Sequence, residues 1–109
     1  MTDQTRALYE RAITAYGEGH QLVKAMEELG ELVQAIAKYT NMPAIPGSDA
    51  EAEALRAARD HVAEEIADVG IILDQVRMLL GIGSAAARWR WKKLMRLRQR
   101  LEDECDEHV

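Results

Sequence analysis

HQLVKAMEELGELVQAIAKY, residues 20–39, decides the fold. Leu22, Met26, Leu29, Val33 and Ile36 recur at alternating steps of four and three. That spacing lines one face of an α-helix and matches no strand. The same period returns downstream in Val62, Ile66, Val69, Leu73, Val76 and Leu80. Between them, NMPAIPGSDA (41–50) holds both prolines and a Gly-Ser-Asp cluster and reads as a loop, with Ser48 or Asp49 placed to cap the helix that follows. That helix spans about 50–80. Upstream, Tyr9, Ile13 and Tyr16 predict a first helix over 2–16, interrupted by Gly17 and Gly19. Downstream, Gly81-Ile82-Gly83 ends the third helix, and Ser84 is expected to cap a fourth that runs to about Asp103 with Leu94, Leu97 and Leu101 as its stripe. The expected fold is all-α: four helices forming one domain, 1–109.

The third helix carries more apolar surface than three neighbours in so short a chain can cover. Ile71, Ile72, Met78 and Leu79 lie off its main stripe. A helix apolar on several sides is buried on several sides, so the bundle is expected to be completed by a homodimer or homotetramer. Small domains bury a modest share of their surface, which makes such help useful.

Composition narrows the function classes. With 48 % hydrophobic residues, 5 % aromatics and no Phe, the core must be built from aliphatic side chains and Met. The single cysteine, Cys105, forbids an intrachain disulfide and agrees with a cytoplasmic setting. The N-terminal MTDQTRALYE has no apolar signal region, and no run reaches the ~20 apolar residues of a membrane span. The net charge of −5 argues against general nucleic-acid binding. Basic residues concentrate in one place: Arg88, Arg90, Lys92, Lys93, Arg96, Arg98 and Arg100 are half of the 14 Lys and Arg. An acidic tail, 102–109, follows them.

The chemistry lies in the carboxylates. Glu27-Glu28-x-x-Glu31 stands on the second helix and Glu64-Glu65-x-x-Asp68 on the third. Residues three apart share a helix face, so two such helices can present Glu28, Glu31, Glu65 and Asp68 to one point. Acidic helix faces are most often simply solvated. Two features set these apart. Glu65 falls only about 40° from the centre of its apolar stripe at about 100° per residue, and a carboxylate directed at packed structure needs a partner. Like charges at this spacing also repel, and Lys24 is the one basic residue a turn away from the first pair. A hard divalent cation such as Mg²⁺, which takes oxygen ligands, would relieve both problems.

Glu27-Glu28-x-x-Glu31, followed by Glu65-x-x-Asp68, resembles the signature of MazG-like all-α nucleoside triphosphate pyrophosphohydrolases. The surrounding LVKAMEELGELVQAIAKYTN and HVAEEIADVGIILDQV are similar to that family as well, and the likeness extends from about Gly19 to Leu101. It implies cleavage of a nucleoside triphosphate between the α and β phosphates, giving a nucleoside monophosphate and pyrophosphate. It also implies that Glu28, Glu31, Glu65 and Asp68 hold Mg²⁺, with Mn²⁺ a possible substitute. Glu27 and Glu64 would then support the ligands or serve as base for the attacking water. The first helix and the loop 41–50 resemble the family less well.

Other residues carry weaker signals. Lys24 is placed to pair with Glu28 or to touch a phosphate. His61 lies one turn before Glu65 and can hold a carboxylate or contact substrate. On the fourth helix, Lys92, Lys93 and Arg96 are the best candidates to meet phosphate. Trp89, Trp91, Tyr9, Tyr16 and Tyr39 can stack on a base, although core packing is the commoner use of each. Three other functions compete with this one: a non-catalytic helical interaction protein, which leaves the acidic pairs unexplained; a di-iron bundle, which needs Glu-x-x-His pairs that are absent here; and a nucleic-acid binder using 88–100.

Overall fold

The computed structural model describes residues 1–107. It is all-helical over these residues: α1 (Asp3–Tyr16), α2 (Glu18–Thr40), α3 (Asp49–Leu80) and α4 (Gly83–Glu107). The chain divides into two compact units, Met1–Leu79 and Leu80–Val109, so α1–α3 form one body and α4 belongs to the other. The last two residues of the acidic tail expected at 102–109 lie outside the described residues. No described helix is long and apolar enough to cross a membrane.

Local chemistry explains the helix ends. Thr2 caps α1, its hydroxyl accepting from the Thr5 N–H at 3.1 Å. Gly17, at φ 92, turns the chain: its N–H donates to the Ile13 carbonyl and its carbonyl accepts from Gln21 N–H. That positive φ suits a residue without Cβ. Gly19, expected to break the chain, lies inside the first turn of α2. Ser48 caps α3 by accepting from Glu51 N–H at 3.2 Å, and the Glu51 carboxylate reaches back to Gly47 N–H, a capping box displaced by one residue. Gly81, at φ 65, ends α3. Ser84 does not cap α4: the helix already starts at Gly83, with Ala86 N–H donating to the Ile82 carbonyl.

α2 and α3 run antiparallel. Gln21 pairs with Gln75 near one end and Tyr39 with Arg59 near the other, so position rises on one helix as it falls on its partner. The buried positions along α2 are Gln21, Ala25, Glu28 and Ala35, with Leu32 half-buried between them. On α3 they are Leu55, Ala58, Glu65, Val69, Ile72 and Gln75. Ala25, Ala35 and Ala58 are among these buried positions. Tyr9 of α1 packs against the pair and its hydroxyl donates to Asp74 Oδ2 at 3.1 Å.

This geometry corrects the expected inward face of α2. The buried stripe has the expected period but stands one residue out of phase with the apolar one. Met26 is 65 % exposed and Val33 66 %, with Val23, Leu29 and Ile36 also exposed. On α3, Ile66 and Leu80 of the expected stripe are exposed, whereas Ile72, expected to be surplus, is in the core. The physical reason is geometric. A helix in contact with one antiparallel neighbour and the short α1 buries a single narrow face, and the seam residues occupy it.

Ile72→Ala is expected to lower the unfolding free energy by about 2–5 kcal/mol, the usual cost of truncating a buried isoleucine. Ile45→Ala, in the exposed 41–48 segment, should change it by no more than about 0.5 kcal/mol. Urea denaturation of both variants checks this; equal effects would contradict the core assignment.

Candidate metal centre

Halfway along the α2–α3 seam, the buried face becomes acidic. Glu28 from α2 and Glu65 from α3 are only 8 % and 6 % exposed. With Glu31, one turn further along α2, each offers a carboxylate oxygen, and these oxygens lie within 4.8 Å of one another. Like charges this close repel. Compensation inside the protein is small. Lys24 Nζ stands 3.1 Å from Glu28 Oε1, and His61 Nε2 is 3.9 Å from Glu65 Oε1. The second oxygen of each buried carboxylate, Glu28 Oε2 and Glu65 Oε2, is sequestered from solvent and has no hydrogen-bond partner. A buried anionic oxygen without a partner is among the costliest features a fold can carry. Carboxylates that meet from two helices, each with such an oxygen, fit a hard cation, which accepts lone pairs from oxygen ligands.

The neighbouring charges leave a trace on Glu31. The Glu28 charge, then burial, then the Glu65 charge hold the Glu31 carboxyl above the ordinary carboxylate range. The hydrogen bond to Glu28, followed by its charge, pushes the Lys24 ammonium up.

The expected site residues distribute unevenly. Glu28, Glu31 and Glu65 are brought together. Asp68 is half-buried and borders a cavity of about 490 Å³ with Lys24, Glu27 and Glu28. It is outside the three-residue group. Glu64 is exposed and groups instead with His61 and Glu65, again within 4.8 Å. Lys92, Lys93 and Arg96 are exposed on α4, where the Lys92 ammonium lies 5.2 Å from the centre of the Trp89 ring. Tyr16 reaches the cavity. Tyr9 is instead a core residue, and Tyr39 lies under Arg59 at 5.9 Å.

Comparison with known protein families, with curated proteins and with solved structures finds no match in any of the three. The site therefore speaks through its own chemistry.

That chemistry includes residues the sequence pattern did not single out. Gln21, Gln75, His20 and Ala12 complete the cavity wall with Tyr16 and with Ile71 and Ile72, which the sequence marked only as surplus apolar surface. The available signal was the second stripe at helical period, Gln21, Ala25, Glu28, Leu32 and Ala35, which runs beside the apolar one and carries the buried carboxylate of α2.

Because the Glu31 carboxyl is raised in the folded state, its contribution to stability is full below the ordinary carboxylate range and is lost as pH rises through the raised value. In chelator at pH 7, Glu31→Gln is therefore expected to melt at a higher temperature than the parent chain. The difference should close as pH falls toward about 4. Thermal unfolding followed by circular dichroism checks this; a lower melting temperature for Glu31→Gln at pH 7 would contradict it.

Proposed function

We propose that this chain is a Mg²⁺-dependent nucleoside triphosphate pyrophosphohydrolase of the MazG-like kind, working as a homodimer or homotetramer. The buried, unpartnered oxygens on Glu28 and Glu65 carry this proposal. Glu28 borders the cavity of about 490 Å³, and Glu31 and Glu65 border a second of about 420 Å³. The resemblance of the two acidic motifs supports it.

Glu28, Glu31 and Glu65 would hold the metal, with Asp68 contributing from the cavity wall. Bound Mg²⁺ would supply charge neutralisation for the phosphates and acidify water. Glu27 borders the same cavity and is the better placed of the two base candidates to accept the proton of the attacking water. Glu64, beside His61, is assigned to supporting Glu65. Lys24 lines the cavity while paired with Glu28, so its ammonium can meet a phosphate without leaving the carboxylate. The chain needs no nucleophilic side chain, since the attacking group is water.

Assembly follows from the face that α2 leaves uncovered. Val23, Met26, Leu29, Val33 and Ile36 form a continuous exposed apolar stripe, and contiguous apolar patches mark association surfaces. A non-catalytic helical interaction protein would account for that stripe. It would leave Glu28 Oε2 and Glu65 Oε2 uncompensated, which is why the enzyme is preferred.

Hydrolysis of a nucleoside triphosphate in ¹⁸O-water with Mg²⁺ is expected to place the label in the nucleoside monophosphate, because water attacks the α phosphorus and pyrophosphate leaves. Label in orthophosphate would contradict the mechanism. Glu28→Gln and Glu65→Gln should each lose about 100-fold or more in turnover while staying folded; wild-type turnover would remove both from the site. Val33→Asp should shift sedimentation toward the monomer, since an unpaired charge in an apolar contact is costly. Sedimentation of the unaltered chain as a monomer at micromolar concentration would contradict assembly.

A further inference from the structure

The cavity beside the carboxylates has two chemically different ends. Lys24, Glu27, Glu28 and Asp68 form one. Gln21 and Gln75 form the other, each seven residues away along its own helix from Glu28 and Asp68 respectively. Seven residues of α-helix span about 10 Å, comparable with the reach from a nucleotide's first phosphate to its base. Tyr16 and His20 stand at this end with ring centres 5.4 Å apart and planes 30° apart, and Ile71 and Ile72 add apolar wall.

The two glutamines are wired in one direction. Gln21 is 4 % exposed and Gln75 5 %. Gln21 Oε1 lies 2.9 Å from His20 Nδ1 and can only accept, so Nδ1 carries the proton. Gln21 Nε2 then donates to Gln75 Oε1 at 2.7 Å. Both amide oxygens are thus engaged, while Gln75 Nε2 has no hydrogen-bond partner among the described residues. Both glutamines line the cavity.

We infer that this end of the cavity reads the nucleobase. It favours uracil, thymine or guanine, which carry a carbonyl oxygen where cytosine and adenine carry an amino group. Gln75 Nε2 donates to that oxygen, and Tyr16 offers a face on which the ring can stack. An amino group at the same position would set donor against donor and leave both unpaired, the situation that gives polar sites their strongest discrimination. The inference rests on the nucleotide reading of the carboxylate site, and its test separates the two.

Two measurements on the full chain suffice. In the first, side-chain amide signals of ¹⁵N-labelled protein are followed without divalent metal while UMP, GMP, AMP or CMP is added. The Gln75 amide should move with UMP and GMP and remain still with AMP and CMP. In the second, kcat/KM with Mg²⁺ is compared across dUTP, dTTP, dGTP, dATP and dCTP. The first three should exceed the last two by about tenfold or more, and Gln75→Met should reduce them to the level of dATP and dCTP, chiefly through KM. A Gln75 signal indifferent to all four monophosphates, with equal kcat/KM for all five triphosphates, would overturn the base subsite and leave the hydrolase standing. A Gln75 response to UMP and GMP without hydrolysis of any triphosphate would support the subsite and sink the hydrolase.

Discussion

Two carboxylates facing each other across a helix seam constrain everything else in this molecule. Glu28 and Glu65 occupy positions where a helix pair of ordinary composition would place leucines, and each keeps one oxygen sequestered from solvent and without a protein partner. Their repulsion and desolvation work against the α2–α3 contact that the fold requires. The rest of the seam offsets this with apolar burial at Ala25 and Ala35 on α2 and Ala58 on α3, and with the Gln21–Gln75 bond toward one end. Lys24 and His61 offset part of the charge from outside. A cation at the centre would convert the most unfavourable point of the seam into a crosslink between two helices.

The polar seam also has an outward consequence. A helix has one circumference, and every position given to Gln21, Glu28 or Ala35 inside is taken from the apolar residues. α2 therefore turns Met26, Leu29, Val33 and Ile36 away from α3, and no described side chain of the chain falls below 2 % exposure. The chain builds its reactive surface within itself and leaves much of its hydrophobic burial to be completed elsewhere. Under the proposed assembly, the apolar burial forgone at the seam would be recovered between subunits.

Much of this was legible in the sequence. The four helices follow from periodicity and from Gly17, Ser48 and Gly81, whose roles are set by local backbone chemistry. The shared face of Glu28 and Glu31 follows from i, i+3 spacing and the burial of Glu65 from its angle to Val62 and Val69, whereas the same spacing put Asp68 in a group that the structure leaves it outside. The inward face of α2 was not legible, because Leu22-Met26-Leu29-Val33 and Gln21-Ala25-Glu28-Leu32 share one period and differ only in phase. Hydrophobicity selects the first; the partner helix selects the second. The amide pair was equally hidden, since Gln21 and Gln75 are 54 positions apart and meet only once the antiparallel register exists.

We propose that the buried carboxylates hold a divalent cation. Mn²⁺ is a spectroscopic stand-in for Mg²⁺, and its free concentration can be read by electron paramagnetic resonance during titration of the full chain. Saturable binding is expected in the parent chain and should be competed by Mg²⁺. Binding should be at least about tenfold weaker in Glu65→Gln, provided circular dichroism shows that variant to be equally helical. Equal Mn²⁺ affinity in the parent chain and in a folded Glu65→Gln, or no saturable binding in either, would contradict it.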